Sequence, residues 1–218
     1  MPKKDENILV ICAHSDDQIF GVGGTIARYS DEGKNVNTVI FSYGESTHPW
    51  LKRKVSVEMR VKESIEADKV VGGHGVIFFG LKEGRFKEEG KKKRIKEKLI
   101  RLIDEKKPTK IFTHSETDPH PDHKAVYATV LSAVKKTNKV PDIYTFEVWT
   151  PVKIKNRKRP KLVVDITKTF RIKLAALRCF RSQWLTMFTL LWSVYVRALK
   201  EGIMNGHLLA ETFHKVKT

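Results

Sequence analysis

Short apolar segments alternate with segments of helical periodicity along the chain, and this alternation restricts the possible folds more than any other feature. The apolar segments predict strands at residues 8–12, 36–41, 76–79, 111–114, 143–148 and 162–164. The glycine cluster at 21–24 is predicted to lead into a helix that ends near Gly33, and further helices are predicted at 57–71, 95–103 and 124–134 and from residue 165 to the end. This order is typical of an α/β fold with a mostly parallel sheet and helices on both faces.

Size and composition indicate one ordinary globular domain. The 218 residues show no compositional break, so a single domain over residues 1–218 is expected. Apolar residues make up 40% and charged residues 31%, which excludes disordered and fibrous classes. Two cysteines, Cys12 and Cys179, are too few for a disulfide scaffold, and we expect buried thiols. The polar N-terminus has no signal-peptide pattern, so a soluble, cytoplasmic protein is expected.

Polar side chains follow three of the predicted strands directly. Residues 13–17 follow the first strand, residues 42–45 the second, and the fourth ends at His114 and leads into residues 118–123. Ligands bind beyond the carboxyl ends of the strands in open parallel sheets. The histidines and carboxylates of these segments are therefore candidate functional residues.

The spacing of these residues suits a catalytic metal site. His14 and Asp17 are three residues apart, so both side chains can face one side of a tight turn while Asp16 points elsewhere. His120 and His123 repeat that spacing, and either could complete a His-Asp-His ligand set with an open position for water. Such a set favours metal-assisted hydrolysis with a carboxylate as the base.

Each motif also has a purely structural interpretation. Residues 14–17 could be a polar turn that caps the next helix, and residues 120–123 could be a capped helix start with Pro121 in its first turn. The position of both motifs after parallel strands favours the metal site. The glycine cluster lacks the pattern of a phosphate-binding loop and predicts close helix packing instead.

The two motifs resemble those of the LmbE-like/PIG-L family of zinc-dependent de-N-acetylases. The matching residues are Ala13-His14-Ser15-Asp16-Asp17 and His120-Pro121-Asp122-His123, with supporting similarity at Arg60, Glu63, Lys173, Ser182-Gln183 and Ala210-Glu211. Three positions differ from the family pattern: Ser15 replaces a proline, Gln18 replaces a glutamate and Phe180 replaces a frequent histidine. The last two differences concern groups around the metal and the substrate.

The resemblance implies a Rossmann-like fold and one zinc ion per chain. Its implied ligands are His14, Asp17 and His123. Asp16 would be the general base, His120 would stabilise the oxyanion as a cation beside Asp122, Asp122 would orient a histidine, and Arg60 would contact the substrate. The implied substrates are N-acetylglucosamine units linked to a sugar, an inositol, an inositol phospholipid or a small acid, from which acetate is released, and related amides.

Charge and one apolar segment raise questions about partners. The formal net charge of +17 is concentrated in runs at residues 91–94 and 151–161, which we interpret as solvated loops or helix ends. Residues 184–196 are apolar on nearly all sides and predict core packing or a homo-oligomer interface, with an anionic membrane surface as the alternative.

Two alternative functions are another metal-dependent hydrolase, such as a phosphoesterase, and a nucleic-acid-binding domain. Nucleic acid is not expected as a partner, because the basic runs contain almost no aromatic residues.

Overall fold

The computed structural model describes residues 6–45, 52–149 and 160–217. The strands are β1 (Asn7–Cys12), β2 (Asn35–Ser42), β3 (Val76–Leu81), β4 (Lys110–His114), β5 (Asp142–Phe146), β6 (Lys161–Asp165) and β7 (Ala210–Lys215). The helices are α1 (Asp17–Asp31), α2 (Arg53–Val70), α3 (Phe86–Lys92), α4 (Ile95–Lys106), α5 (Pro121–Val134), α6 (Phe170–Leu177) and α7 (Trp184–Met204), with a 3₁₀ turn at Arg181–Gln183 before α7.

The seven strands form one sheet in the order β3-β2-β1-β4-β5-β7-β6. Strands β1 to β5 pair in parallel, while β7 runs antiparallel to both β5 and β6. The predicted mostly parallel α/β sheet is therefore confirmed.

Side-chain alternation along β1 divides the core into two layers. Ile8, Val10 and Cys12 belong to the cluster that packs against α1, α6 and α7. Leu9 and Ile11 belong to the cluster that packs against α4 and α5. Because both faces of the strand are buried, β1 is apolar throughout, as expected for a central parallel strand covered by helices on both sides.

The glycine cluster lies inside α1, whereas the sequence placed it before the helix. An added Cβ at Gly21 would lie 2.2 Å from the Phe146 ring, and one at Gly24 would lie 2.8 Å from Ile166. The glycines therefore let α1 approach β5 and the end of β6 closely, which confirms the predicted packing role and excludes side chains there.

The prediction of helix up to the end of the given sequence is wrong. Residues 210–215 form β7 rather than helix. This strand brings the Glu211 carboxylate under α1, where it accepts hydrogen bonds from the backbone N–H groups of Gly24 (3.1 Å) and Thr25 (2.8 Å). Lys173 Nζ lies 2.6 Å from the same carboxylate, so a buried ion pair joins α6, β7 and the middle of α1.

Helix α7, for which the sequence predicts core packing or a homo-oligomer interface, packs only one of its faces against this chain. Leu190, Val194 and Ala198 enter the core, while Phe188 on the opposite face is 80% exposed. No helix in the described parts of the chain is long and apolar enough to cross a bilayer. Of the two free cysteines, Cys12 is buried as expected, but Cys179 is only partly buried. The basic run at 151–159 lies outside the described residues.

Candidate active site

The candidate site lies where β1 and β4 are neighbours in the sheet. The chain leaves β1 towards β2 on one side and leaves β4 towards β5 on the other, so a crevice opens between their carboxyl ends. The turn after β1 carries His14 and leads into α1, whose first residue is Asp17. The segment after β4 leads into α5, with His120 at the cap position and His123 in the first turn. The topology thus brings together two motifs separated by about half of the chain.

Three side-chain atoms from these motifs converge in the crevice. His14 Nδ1 and Asp17 Oδ2 are 3.4 Å apart, His123 Nε2 and Asp17 Oδ2 are 3.4 Å apart, and His123 Nε2 and His14 Nδ1 are also 3.4 Å apart. These atoms belong to one of the groups of close potential metal ligands in the described residues. The arrangement is a nearly equilateral triangle of donor atoms.

This triangle has the dimensions of a tetrahedral metal site. In a regular tetrahedron the distance between two ligands is about 1.63 times the metal–ligand bond, so zinc bonds of about 2.0–2.1 Å require ligand separations of about 3.3–3.4 Å. All three observed separations are 3.4 Å. Two imidazole nitrogens and one carboxylate oxygen are also the donor types that zinc prefers. The residues therefore fit a zinc ion with one coordination position left for another ligand.

The second nitrogen of each candidate histidine ligand faces a carboxylate. His123 Nδ1 lies 3.0 Å from Asp118 Oδ1, and both side chains are fully buried. His14 Nε2 lies 3.4 Å from Asp122 Oδ2, which also accepts a 2.9 Å hydrogen bond from the Gly84 N–H. Such carboxylate partners fix the ring orientation and leave the other nitrogen free for a metal.

The charges of these groups favour a binding site for a cation. Burial alone would lower the pKa of His14, but its contacts with Asp122 and Asp17 raise that pKa to about 10. Burial likewise opposes the charge on His123, yet Asp17 and Asp118 raise its pKa to about 9. Burial also opposes ionisation of Asp17, but the nearby His123 and His114 hold its pKa well below the usual range. Asp17 is therefore an anion next to two protonated imidazole rings. A metal cation bound here would replace one ring proton of His14 and one of His123.

Asp16 lies in the same crevice but makes different contacts. It occupies the cap position of α1, yet its side chain makes no capping hydrogen bond. Its Oδ2 lies 3.6 Å from Nη2 of Arg60, whose side chain is 2% exposed. Nε and Nη1 of Arg60 have no hydrogen-bond partner among the described residues. The helix-cap interpretation of residues 14–17 therefore does not explain the carboxylate of Asp16.

His120 differs from the expectation of a cation held by Asp122. Its Nδ1 accepts a 3.2 Å hydrogen bond from the backbone N–H of Asp122, so the ring caps α5. Burial and the charges of His14 and His123 lower the pKa of His120. The carboxylate of Asp122 is hydrogen-bonded to Gly84 instead, and the histidine that it contacts is His14. The ring of His120 is therefore neutral, with its proton on Nε2.

Two of the candidate ligands, His14 and Asp17, line an open pocket of about 530 Å³, and the third, His123, is fully buried. Its lining includes His14, Asp16, Asp17, Arg60, His120 and Asp122, together with Trp149, Gln183, Thr186 and Leu190. The pocket is therefore polar and charged on one side and bordered by α7 on the other. Arg60, Asp16 and His120 line the same pocket as His14 and Asp17.

Sequence reasoning placed two buried residues, His114 and Asp118, at this edge of the sheet but assigned neither of them a role. His114 Nε2 lies 3.0 Å from the backbone nitrogen of Ala13 and 3.2 Å from Asp17 Oδ2, and its ring stacks on His123 at 3.7 Å. Burial and the charge on His123 lower the pKa of His114 to about 4, so it is neutral. Asp118 is the other, and its position two residues before His120 was the available signal. Neither role follows from spacing alone.

Three comparisons with known proteins agree with this arrangement. The family model described as PIG-L, GlcNAc-PI de-N-acetylase, matches residues 9–134, which is more than half of the chain and includes both motifs. The chain is 29% identical to the 4-oxalmesaconate hydratase of Pseudomonas putida, over 93% of this chain and 82% of the relative. It is 28% identical to the probable N-acetyl-alpha-D-glucosaminyl L-malate deacetylase 2 of Bacillus cereus, over 82% of this chain and 84% of the relative.

Solved structures share the fold. The N,N'-diacetylchitobiose deacetylase from Pyrococcus horikoshii superposes with a TM-score of 0.79, covering 97% of this chain and 84% of that one. The two sequences are 23% identical, so this likeness concerns the fold alone.

Proposed function

Because the chain belongs to the PIG-L family of GlcNAc-PI de-N-acetylases, we propose that it is a zinc-dependent hydrolase that removes the acetyl group from an N-acetylglucosamine-containing substrate. Relatives named as deacetylases of such substrates support the activity. One zinc ion per chain would be held by His14, Asp17 and His123. The observation that carries the proposal is the triangle of donor atoms with 3.4 Å sides, which matches three ligands of tetrahedral zinc and opens onto the pocket.

The side chains around the triangle can carry the proton transfers of amide hydrolysis. A zinc ion in this position would polarise the acetamide carbonyl and make the attacking water more acidic. Asp16, which is not used as a helix cap and pairs with Arg60, accepts the proton of that water and passes it to the departing nitrogen. The products are acetate and a free amino sugar.

His120 supports the oxyanion in a form different from the one implied by the sequence resemblance. Because its Nδ1 accepts the backbone N–H of Asp122, its Nε2 carries the proton and can donate to the oxyanion of the tetrahedral intermediate. Because the capping hydrogen bond already holds the neutral ring of His120, the ring does not have to reorient during the reaction. Asp122 would orient His14, whose Nε2 lies 3.4 Å from Asp122 Oδ2.

The substrate contacts would come from Arg60 and the outer wall of the pocket. Arg60 lines the pocket and its Nη2 lies 3.6 Å from Asp16 Oδ2, so the edge of the guanidinium beside Asp16 can donate to sugar hydroxyl or carbonyl oxygens. Trp149 and Gln183 line the same pocket, and an aromatic ring beside an amide suits a sugar ring with its mixed apolar and polar faces.

The adjacent residues Asp16 and Asp17 provide the test. We expect Asp17→Ala to lose zinc and activity together, because a ligand is removed. Asp16→Asn should keep about one zinc per chain and lose about 10²–10⁴-fold in deacetylation rate, because an amide can hydrogen-bond water but cannot accept its proton. Zinc content and acetate release from N-acetylated sugars measure both, and Asp31→Asn, an exposed position on α1, is the matched control. An Asp16→Asn protein that hydrolyses at the parent rate would exclude Asp16 as the base.

A second candidate reaction is supported by the relative named as a hydratase. Hydration also needs an activated water and a base, but water is added across a carbon–carbon double bond of an acidic substrate. The buried guanidinium of Arg60 could then bind a substrate carboxylate. An unsaturated dicarboxylate that loses its ultraviolet absorption with the purified enzyme, without acetate release from any N-acetylated sugar, would favour the hydratase.

A further inference from the structure

The outer side of α7 presents a continuous stripe of aromatic rings, which we call the aromatic face. It consists of Trp184, Phe188, Trp192 and Tyr195, which are 70%, 80%, 52% and 45% exposed. Spacings of four, four and three residues place these rings along one side of the helix. Exposed aromatic rings in such a row are unusual on a solvated surface and indicate a docking site.

The helix that carries this face is firmly attached to the domain. Its inner residues Leu190, Val194 and Ala198 are at most 5% exposed and belong to the core cluster. The ring of Tyr195 also contacts that of Phe170 at 5.2 Å between centroids. The aromatic face is therefore a fixed surface of the folded domain.

The charges beside the aromatic face are positive. Exposed Arg178 and Arg181 line a groove with Trp184, Phe188 and Trp192, and no acidic residue is among the described residues that line it. Between residues 184 and 199 the helix carries a single charged side chain, Arg197. Aromatic rings flanked by arginines are typical of helices that lie in the interface of a bilayer with anionic lipids.

The overall charge favours an anionic bilayer over a second copy of the chain as the partner of the aromatic face. Two copies would each carry +17 and would repel each other as the aromatic faces approached. An anionic bilayer would instead attract the whole molecule and then accept the rings into its headgroup layer. Charge complementarity thus favours lipid over self-association.

We propose that the aromatic face of α7 docks on the surface of an anionic phospholipid bilayer, with Arg178 and Arg181 contacting the headgroups. The proposal does not depend on the reaction catalysed. Thr186 and Leu190 on the other side of the same helix line the candidate active-site pocket. Docking would therefore place the pocket about one helix diameter, roughly 10–12 Å, from the lipid headgroups.

Co-sedimentation of the purified chain with vesicles tests the proposal. We expect binding to an equal mixture of phosphatidylcholine and phosphatidylglycerol at low salt, and much weaker binding to phosphatidylcholine alone. Replacing both Phe188 and Trp192 with serine should weaken binding at least about 10-fold for each ring, because less apolar surface enters the interface. Replacing Arg178 and Arg181 with glutamine should weaken it by roughly fivefold for each charge.

Two control variants make the same kinds of substitution at exposed positions outside α7. Val140→Ser removes an exposed apolar side chain from the connection before β5, and Lys136→Gln with Lys139→Gln removes two exposed charges near it. Both control variants should bind vesicles as the parent does. Thermal unfolding of every variant checks that the fold is retained.

Three results would overturn the proposal. The parent could remain in the supernatant with anionic vesicles at low salt. The Phe188 and Trp192 variant could bind as tightly as the parent, which would assign binding to another basic surface. Sedimentation velocity could show a parent dimer that the same variant converts to monomer, which would make a second copy the occupant of the aromatic face.

Discussion

Asp118→Asn tests whether the buried carboxylate behind His123 strengthens metal binding. In the parent, His123 Nδ1 and Asp118 Oδ1 lie 3.0 Å apart and both side chains are fully buried. A hydrogen bond to a charged group contributes about 1.5–3 kcal/mol, compared with about 0.5–1.5 kcal/mol for a neutral one. The difference of about 1–2 kcal/mol corresponds to roughly a 5- to 30-fold loss of zinc affinity, within the range known for partners of metal-bound histidines.

A comparison with Asp122→Asn sharpens this prediction. The contact of Asp122 with His14 is longer, at 3.4 Å, and we expect a loss of less than about 10-fold there. Zinc dissociation constants would be measured by competition with a chromophoric chelator, with Asp31→Asn as the control. Because Asp118 also accepts the backbone N–H of Val148, thermal unfolding must show that the variant remains folded. A folded Asp118→Asn protein with the zinc affinity of the parent would refute the reasoning.

Two further predictions concern stability. Burial raises the pKa of Asp68 from 3.8 to about 6, so its contribution to stability is present below pH 3.8 and is lost as the pH rises through 6. Asp68→Asn retains an acceptor for the Gly75 N–H. It should therefore raise the free energy of unfolding by about 2–3 kcal/mol at pH 8 and have little effect at pH 4. Urea titration at both pH values measures this, and equal effects at the two values would contradict it. Lys173→Met should lower the free energy of unfolding by about 3–5 kcal/mol, because the buried Glu211 loses its cation. The double variant Lys173→Met with Glu211→Gln should recover part of that loss. No recovery would argue against an ionic cause.

The parts of the site that depend on local sequence were predictable. His14 and Asp17 lie in one turn, and His120 begins a helix with Pro121 in its first turn, so short-range spacing was informative about each motif. The parallel strands then placed both motifs at one edge of the sheet. The contact between Asp118 and His123 was not predictable, because it depends on how the loop after β4 folds back over the ring.

The C-terminal third of the chain shows where sequence patterns fail. Strand β7 contains Glu211 and His214 among its buried residues, so it has no apolar alternation to distinguish it from helix. Its pairing with β5 and β6 depends on contacts distant in sequence. The apolar sequence of α7 predicted core packing or a subunit interface without separating the two, because hydropathy alone cannot show how many neighbours a helix has to pack against.

The bond between Glu211 and the middle of α1 has a consequence for biosynthesis. All the proposed ligands have been translated once residue 123 is added, yet the strand that holds Gly24 and Thr25 in place is made almost ninety residues later. A nascent chain on the ribosome therefore carries the donor atoms before it has the support that fixes the helix bearing Asp17. Stable metal capture should wait until β7 has been synthesised and has paired, and chains interrupted before residue 210 should emerge unable to retain the ion.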